Sequence, residues 1–220
     1  MVIENIEVGS GIANIEHLRF SSEDRAQNAG KGHARIVVEG ILSTLTTRRL
    51  EDWNARYRSR EEIQSEPAPL LVRAAESLAP GRALDLACGA GRNALWLASR
   101  GWQVVAIDGA SEAIRILQES TGTFPVDGRV IDLEDGAALP FDDESFDLVA
   151  ILFYLHRPLF AEARRVVKRG GVIVAAALMS GTFRIAPGEL ARTFSDFEIV
   201  HASEGEIAEI VARRPGEFDQ

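Results

Sequence analysis

Residues 83–94 read Ala83-Leu84-Asp85-Leu86-Ala87-Cys88-Gly89-Ala90-Gly91-Arg92-Asn93-Ala94: a short apolar run, a glycine turn, then the start of a helix. The run is too short for a helix and spells a buried strand, Ala83 to Ala87, while Gly89 and Gly91 permit the tight turn that follows. A helix from Arg92 to Arg100 is closed by Gly101. The same alternation continues outward. Strand Gln103 to Ile107, a helix from Ser111 to Glu119, strand Arg129 to Ile131 and strand Asp147 to Phe153 follow, then a helix from Pro158 to Val167 and strand Val172 to Leu178. Near-continuous apolar strands alternating with helices specify an α/β fold with a parallel sheet covered on both faces. A ligand is then expected at the carboxyl ends of the first strands, at the topological switch point.

The tail departs from this pattern. A helix over Pro187 to Phe194 precedes two β-prone runs, Phe197 to His201 and Glu206 to Arg213, joined by Ser203-Glu204-Gly205, which read as an antiparallel hairpin. Upstream, Leu50 to Glu62 and Pro67 to Leu78 read as helices, the latter ended by Pro80-Gly81. Residues 1–49 carry only scattered apolar stretches around a polar middle, and are expected to form an N-terminal extension to a catalytic domain over 50–220. That extension is read as an arm, a lid or a dimerisation element through which a homodimer would form.

Composition narrows the function. The single cysteine, Cys88, cannot form an internal disulfide, and four scattered histidines leave no cluster with metal-ligand spacing, so no metal is expected. The net charge of −9, with no long basic run, argues against nucleic acid as partner. Arg48, Arg49, Arg56, Arg58 and Arg60 are the one basic stretch, and the interleaved Glu61 and Glu62 make it a solvated helix face. No apolar run reaches the roughly 20 residues of a membrane span, and the acidic start lacks a leader's apolar core, so a cytoplasmic protein without membrane contact is expected.

The glycine turn admits two cofactor classes. Gly89-x-Gly91-x-x-Ala94 satisfies a dinucleotide fingerprint with Asp108 as the ribose acid, which would make an NAD(P)-dependent oxidoreductase. Asp85 discriminates between them. A carboxylate at the end of the first strand pairs with the ammonium of a methionyl group but repels a pyrophosphate lying over the same turn. Too few residues follow the motif for a separate substrate domain. Both points favour S-adenosyl-L-methionine. Asp108 ends the second strand, where its oxygens can accept from both ribose hydroxyls. Asp132 ends the third, placed to accept from the adenine amino group while Leu133 offers its amide to the ring. Ala87, Asn93, Gly109 and Leu152 complete the expected cofactor lining. Tyr154 and His156, past the fourth strand, are the candidate catalytic side chains on the acceptor side, unless the acceptor needs only alignment.

The segment from Asp85 through Gly-Arg-Asn-Ala to Asp108 resembles class I S-adenosylmethionine-dependent methyltransferases of the tellurite-resistance type and, more distantly, thiopurine methyltransferases. The resemblance covers about residues 50–215. It implies a Rossmann-like, mostly parallel seven-stranded sheet ending in an antiparallel hairpin. It also implies that Trp53-Asn54-Ala55-Arg56-Tyr57 folds over the cofactor, with Trp53, Arg56 and Tyr57 in the site. Lys168-Arg169-Gly170-Gly171 is similar to the family's Pro-Gly-Gly turn, with Arg169 replacing proline. The activity implied is methyl transfer to a small-molecule acceptor. A methyltransferase-like binding protein without turnover is the alternative.

Overall fold

In the computed structural model, which describes residues 5–8, 11–14, 49–60 and 63–216, the chain forms two compact units, Met1–Arg48 and Arg49–Gln220. In the first, β1 (Asn5–Val8) and β2 (Gly11–Asn14) pair antiparallel with Asn5 opposite Asn14. The roles expected of the extension, dimerisation included, otherwise fall on residues outside the described ones.

The second unit opens with a helix, α1, over residues 49–59; residues 61 and 62, where the helix was expected to end, lie outside the described ones. There follow α2 (Pro69–Glu76), β3 (Arg82–Leu86), α3 (Arg92–Ser99), β4 (Gln103–Asp108), α4 (Ser111–Ser120), β5 (Val126–Val130), β6 (Phe146–Leu152), α5 (Pro158–Val166), β7 (Val167–Leu178), α6 (Glu189–Thr193), β8 (Glu198–Glu204) and β9 (Ile207–Arg213). The sheet has seven strands in the order β5-β4-β3-β6-β7-β9-β8. Strands β3 to β7 pair with one another in parallel, and β9 joins β7 antiparallel and carries β8 antiparallel on its other edge. The expected Rossmann-like sheet with a terminal hairpin is therefore the observed one.

Alternation along the strands sorts the core into two layers. Leu84, Leu86, Val105, Ile107, Val149 and Ile151 face α5 and α6, meeting Leu159, Phe160, Leu190 and Phe194. Ala83, Val104, Ala106, Leu148, Ala150 and Val174 face the other way, onto Leu70 and Leu71 of α2, Leu97 of α3 and Leu117 of α4. Each large aliphatic side chain so buried contributes roughly 1.5–3 kcal/mol of transfer free energy. Small residues on the second face let three helices approach the sheet closely.

Several boundaries differ from the sequence expectation, each for a local reason. Strand β5 starts three residues early and ends at Val130 because it is a half-exposed edge whose apolar pattern is weak, so Asp132 lies beyond the strand and not at its end. Pro69, not Pro67, takes the first turn of α2. Helix α6 is confined to five residues behind Gly188, whose φ is +68°. The hairpin turn closes to Gly205-Glu206. Lys168 to Gly171, expected as a turn before the strand, is a bulge within β7, which pairs Val167 with Phe146 and then Val172 with Leu148.

Candidate cofactor and acceptor site

Strand order fixes where a crevice opens: β4 and β5 lie to one side of β3, β6 and β7 to the other, so the switch point falls between the carboxyl ends of β3 and β6. Past β3 the chain turns sharply. Ala87 adopts φ +56°, Gly89 +56° and Gly91 +87°, and Cys88 N–H donates to Ile107 O at 2.9 Å. A Cβ at Gly91 would collide with Leu117 of α4, and one at Gly89 would sit 2.6 Å from the Tyr57 hydroxyl.

Asp85 lies beneath this turn, 1% exposed. It accepts a hydrogen bond from Ala94 N–H, while its Oδ2 is buried with no partner among the described residues. Burial first, and the neighbouring Asp108 second, push its carboxyl up to about 7 against the pull of Arg92 and the Ala94 amide. Asp108 braces the turn, with Gly89 N–H donating to Oδ2 and Ala110 N–H to Oδ1, both at 2.8 Å. Burial raises its pKa and these two amides oppose the rise. A carboxylate offers about four lone-pair sites, so each oxygen keeps one for a ligand hydroxyl. Buried among these acids, Cys88 has its thiol pushed well above the ordinary range, first by desolvation, and is a poor nucleophile.

Helix α1 covers the turn from above. A Cβ at Gly109 would lie 2.6 Å from Leu50, Tyr57 packs with Ala110 and Ala113, and Asn54 Oδ1 accepts Glu112 N–H at 2.8 Å. The N-cap of α4, Ala110, offers no side-chain cap; Asn54 takes the Glu112 amide instead. Trp53 lies against the same cluster, its ring 6.2 Å from that of Tyr57. The Arg56 guanidinium stacks 4.9 Å from Trp53 on the exposed side of the helix.

Ile131 N–H donates to Asp108 O at 3.1 Å, which sets Asp132 beside Gly109 past the end of β4, and Asp132 Oδ1 accepts Glu134 N–H at 2.9 Å in a tight turn. Glu134, in the sequence only one of several acids there, forms the junction of the site. Arg49 of α1 donates to its Oε2 at 2.6 Å and the Tyr154 hydroxyl donates to its Oε1 at 2.7 Å. Burial first, then this bond and the charge of Glu134, push the Tyr154 phenol up. His156 is moved the other way: burial lowers its pKa, outweighing Glu134 and Asp132, which raise it. The side chains of two expected residues serve the scaffold as well. The Asn93 side chain is 5% exposed and accepts Ala68 N–H at 2.9 Å, holding α2 to α3, and the Leu152 side chain belongs to the core layer under α2 and α3.

A doubly wound sheet with a terminal antiparallel hairpin, and a glycine turn set between a buried acid on one strand and a second acid on the next, defines the Rossmann-like class I methyltransferase architecture. Residues 84–175 match the methyltransferase domain family. Demethylmenaquinone methyltransferase of Clavibacter sepedonicus is 41% identical over 109 residues, which are 47% of this chain and 43% of that protein. Ribosomal RNA small subunit methyltransferase C of Alcanivorax borkumensis is 31% identical over 122 residues, 49% of this chain and 36% of that one. The chain thus spans less than half the length of these curated relatives. The crystal structure of TehB from Haemophilus influenzae aligns with a TM-score of 0.63 at 22% identity, covering 73% of this chain and 67% of that one, a likeness of fold. Among the described residues no helix is long and apolar enough to cross a membrane, and no group of acids, histidines and cysteine has metal-binding geometry.

Proposed function

We propose that this chain is an S-adenosylmethionine-dependent methyltransferase acting on a small-molecule nucleophile. The observation that carries the reading is Asp85, a buried carboxyl with an unpartnered oxygen directly under a glycine turn. Removing a carboxylate from water without pairing it is costly, and a ligand ammonium meets that deficit. A pyrophosphate fits worse: it would face the Asp85 charge and find Gly89 N–H already given to Asp108.

S-adenosylmethionine, when bound, supplies a methyl group activated on a sulfonium. Asp85 would hold the ammonium, Asp108 the ribose hydroxyls with its remaining lone pairs, and Asp132 with the Leu133 amide the adenine edge. Ala87, Gly89, Gly91 and Gly109 keep the backbone close to the ligand, and α1 covers it through Trp53, Arg56 and Tyr57. On the acceptor side, burial keeps His156 neutral near pH 7 and able to take a proton. Tyr154 retains its proton and directs it at Glu134, so it serves to position. Alignment and exclusion of water supply most of the rate. A small acceptor fits the net charge of −9 better than a polynucleotide does, and demethylmenaquinone methyltransferases stand among the relatives beside the ribosomal RNA enzyme.

Calorimetric titration of ligand-stripped protein with S-adenosylmethionine, S-adenosylhomocysteine and NAD tests the reading. Micromolar binding of the two adenosyl ligands without NAD is expected; NAD binding alone, or no binding, overturns it. Adenosyl binding with no turnover on any thiol, amine or metalloid would favour the non-catalytic alternative.

A further inference from the structure

Four non-glycine residues among those described hold positive φ: Arg60, Ala87, Glu144 and Phe153. Arg60 and Glu144 are exposed turn residues. Ala87 and Phe153 stand at the carboxyl ends of the adjacent strands β3 and β6, on the two sides of the crevice. The left-handed region is unfavourable for a bulky residue, and an aromatic there is a true outlier. Phe153, at φ +62°, is fixed by its N–H donating to Ala176 O at 2.7 Å. Glycine would take this backbone without strain, yet the position carries a large ring that is 45% exposed. The ring adds nothing to either core layer.

Guanidinium groups stack on two exposed aromatic rings in the loops that follow β6 and β7. The Arg92 guanidinium lies 5.7 Å from the Phe153 ring. Leu178, at the end of β7, and Phe183, in the loop beyond it, are 48% and 61% exposed, and Arg49 stacks 4.9 Å from Phe183. Through Arg49, Glu134 and Tyr154 that loop is tied back to the residue following Phe153. His156 comes two residues later.

Resting on the methyltransferase reading, we infer that the acceptor is a planar aromatic compound and that it stacks on the exposed ring of Phe153. An aromatic face gains from offset stacking on a second ring beyond what area burial gives, and a guanidinium at the rim adds to that attraction. A saturated acceptor of equal volume obtains only the burial.

The test is calorimetry on protein saturated with S-adenosylhomocysteine, titrated with 2-naphthol and with its saturated counterpart decahydro-2-naphthol. The planar compound should bind at least ten-fold more tightly. Phe153→Gly should lower 2-naphthol affinity at least ten-fold while leaving S-adenosylhomocysteine affinity unchanged and the melting temperature equal or higher, since glycine relieves the strain. Phe153→Leu should abolish the preference for the planar compound. Equal affinities for the two compounds, no binding of either, or undiminished 2-naphthol binding by Phe153→Gly would each overturn the inference while the cofactor reading stands. Failure of the wild-type protein to bind S-adenosylhomocysteine would overturn the cofactor reading itself, and the inference with it.

Discussion

Two aspartates on neighbouring strands of the same sheet are treated in opposite ways. Asp147, near the amino end of β6, accepts Arg82 N–H at 2.7 Å and the Lys168 ammonium at 2.8 and 2.9 Å. Partial burial works against its charge, but Lys168 and the Arg82 amide outweigh that and hold the carboxyl below its usual range. Asp85, at the far end of β3, is buried with one oxygen unpartnered and is pushed up to about 7. At the amino end of the sheet charges are paired and serve the fold. The carboxyl end leaves one buried charge unpaired and two non-glycine residues in left-handed backbone, so it carries free energy that a ligand can recover.

The largest effect expected from breaking this contrast is at Asp85. Its folded pKa, about 7, lies above the ordinary carboxyl value. Its stability contribution is therefore fully present below the unfolded pKa and is lost as pH rises through about 7, a loss on the order of a few kcal/mol. Asp85→Asn should remove that slope, melt above the wild type at pH 8, and bind S-adenosylhomocysteine about 1.5–3 kcal/mol more weakly. Thermal melts from pH 5 to 8 and calorimetry check both halves, and a flat wild-type profile would end the contrast. Next in size is Gly91→Ala, expected to cost roughly 2–3 kcal/mol in denaturant melts because backbone conformation and Leu117 both oppose it. Gly122→Ala, at φ +54° with open space around it, isolates the backbone part at about 1 kcal/mol. Smaller again is Asp147→Asn, about 1 kcal/mol at pH 7 given its partial exposure, with ligand affinity unchanged. The Asp147 contribution should fade as pH falls through its lowered folded pKa, the reverse of the Asp85 trend. The smallest effect is a displacement: if His156 takes the acceptor's proton, the acid limb of kcat/KM should have its midpoint below 6.5. A pH-independent rate across that limb would leave catalysis to alignment alone.

What could be read in advance follows from which interactions are local. Strands β3, β4 and β6 are buried on both faces and show as apolar runs, and Gly89 and Gly91 mark a turn whose geometry few other residues can adopt. Strand β5 is an edge with mixed exposure, so its limits were obscure and Asp132 was placed on its end. The type and place of Asp85 were legible, but its orphaned oxygen depends on what surrounds it in space. Asn54 on the first turn of α4, Asn93 as a brace for Ala68, and Glu134 as the meeting point of Arg49 and Tyr154 all join residues far apart in the chain. No periodicity announces such pairings, and the strain at Phe153 exists only as a backbone angle.

The contact of Tyr57 with Gly89 has a consequence for inheritance. Two things keep residue 89 a glycine: its φ of +56°, which alanine meets only at a cost, and the Tyr57 hydroxyl, 2.6 Å from where a Cβ would stand. A lineage that first exchanges Tyr57 for a smaller side chain removes the steric part of that barrier and leaves alanine at 89 only the backbone part, and one that first changes 89 meets both. The two positions should therefore drift as a linked pair with a fixed order of steps, visible as covariation between the covering helix and the glycine turn.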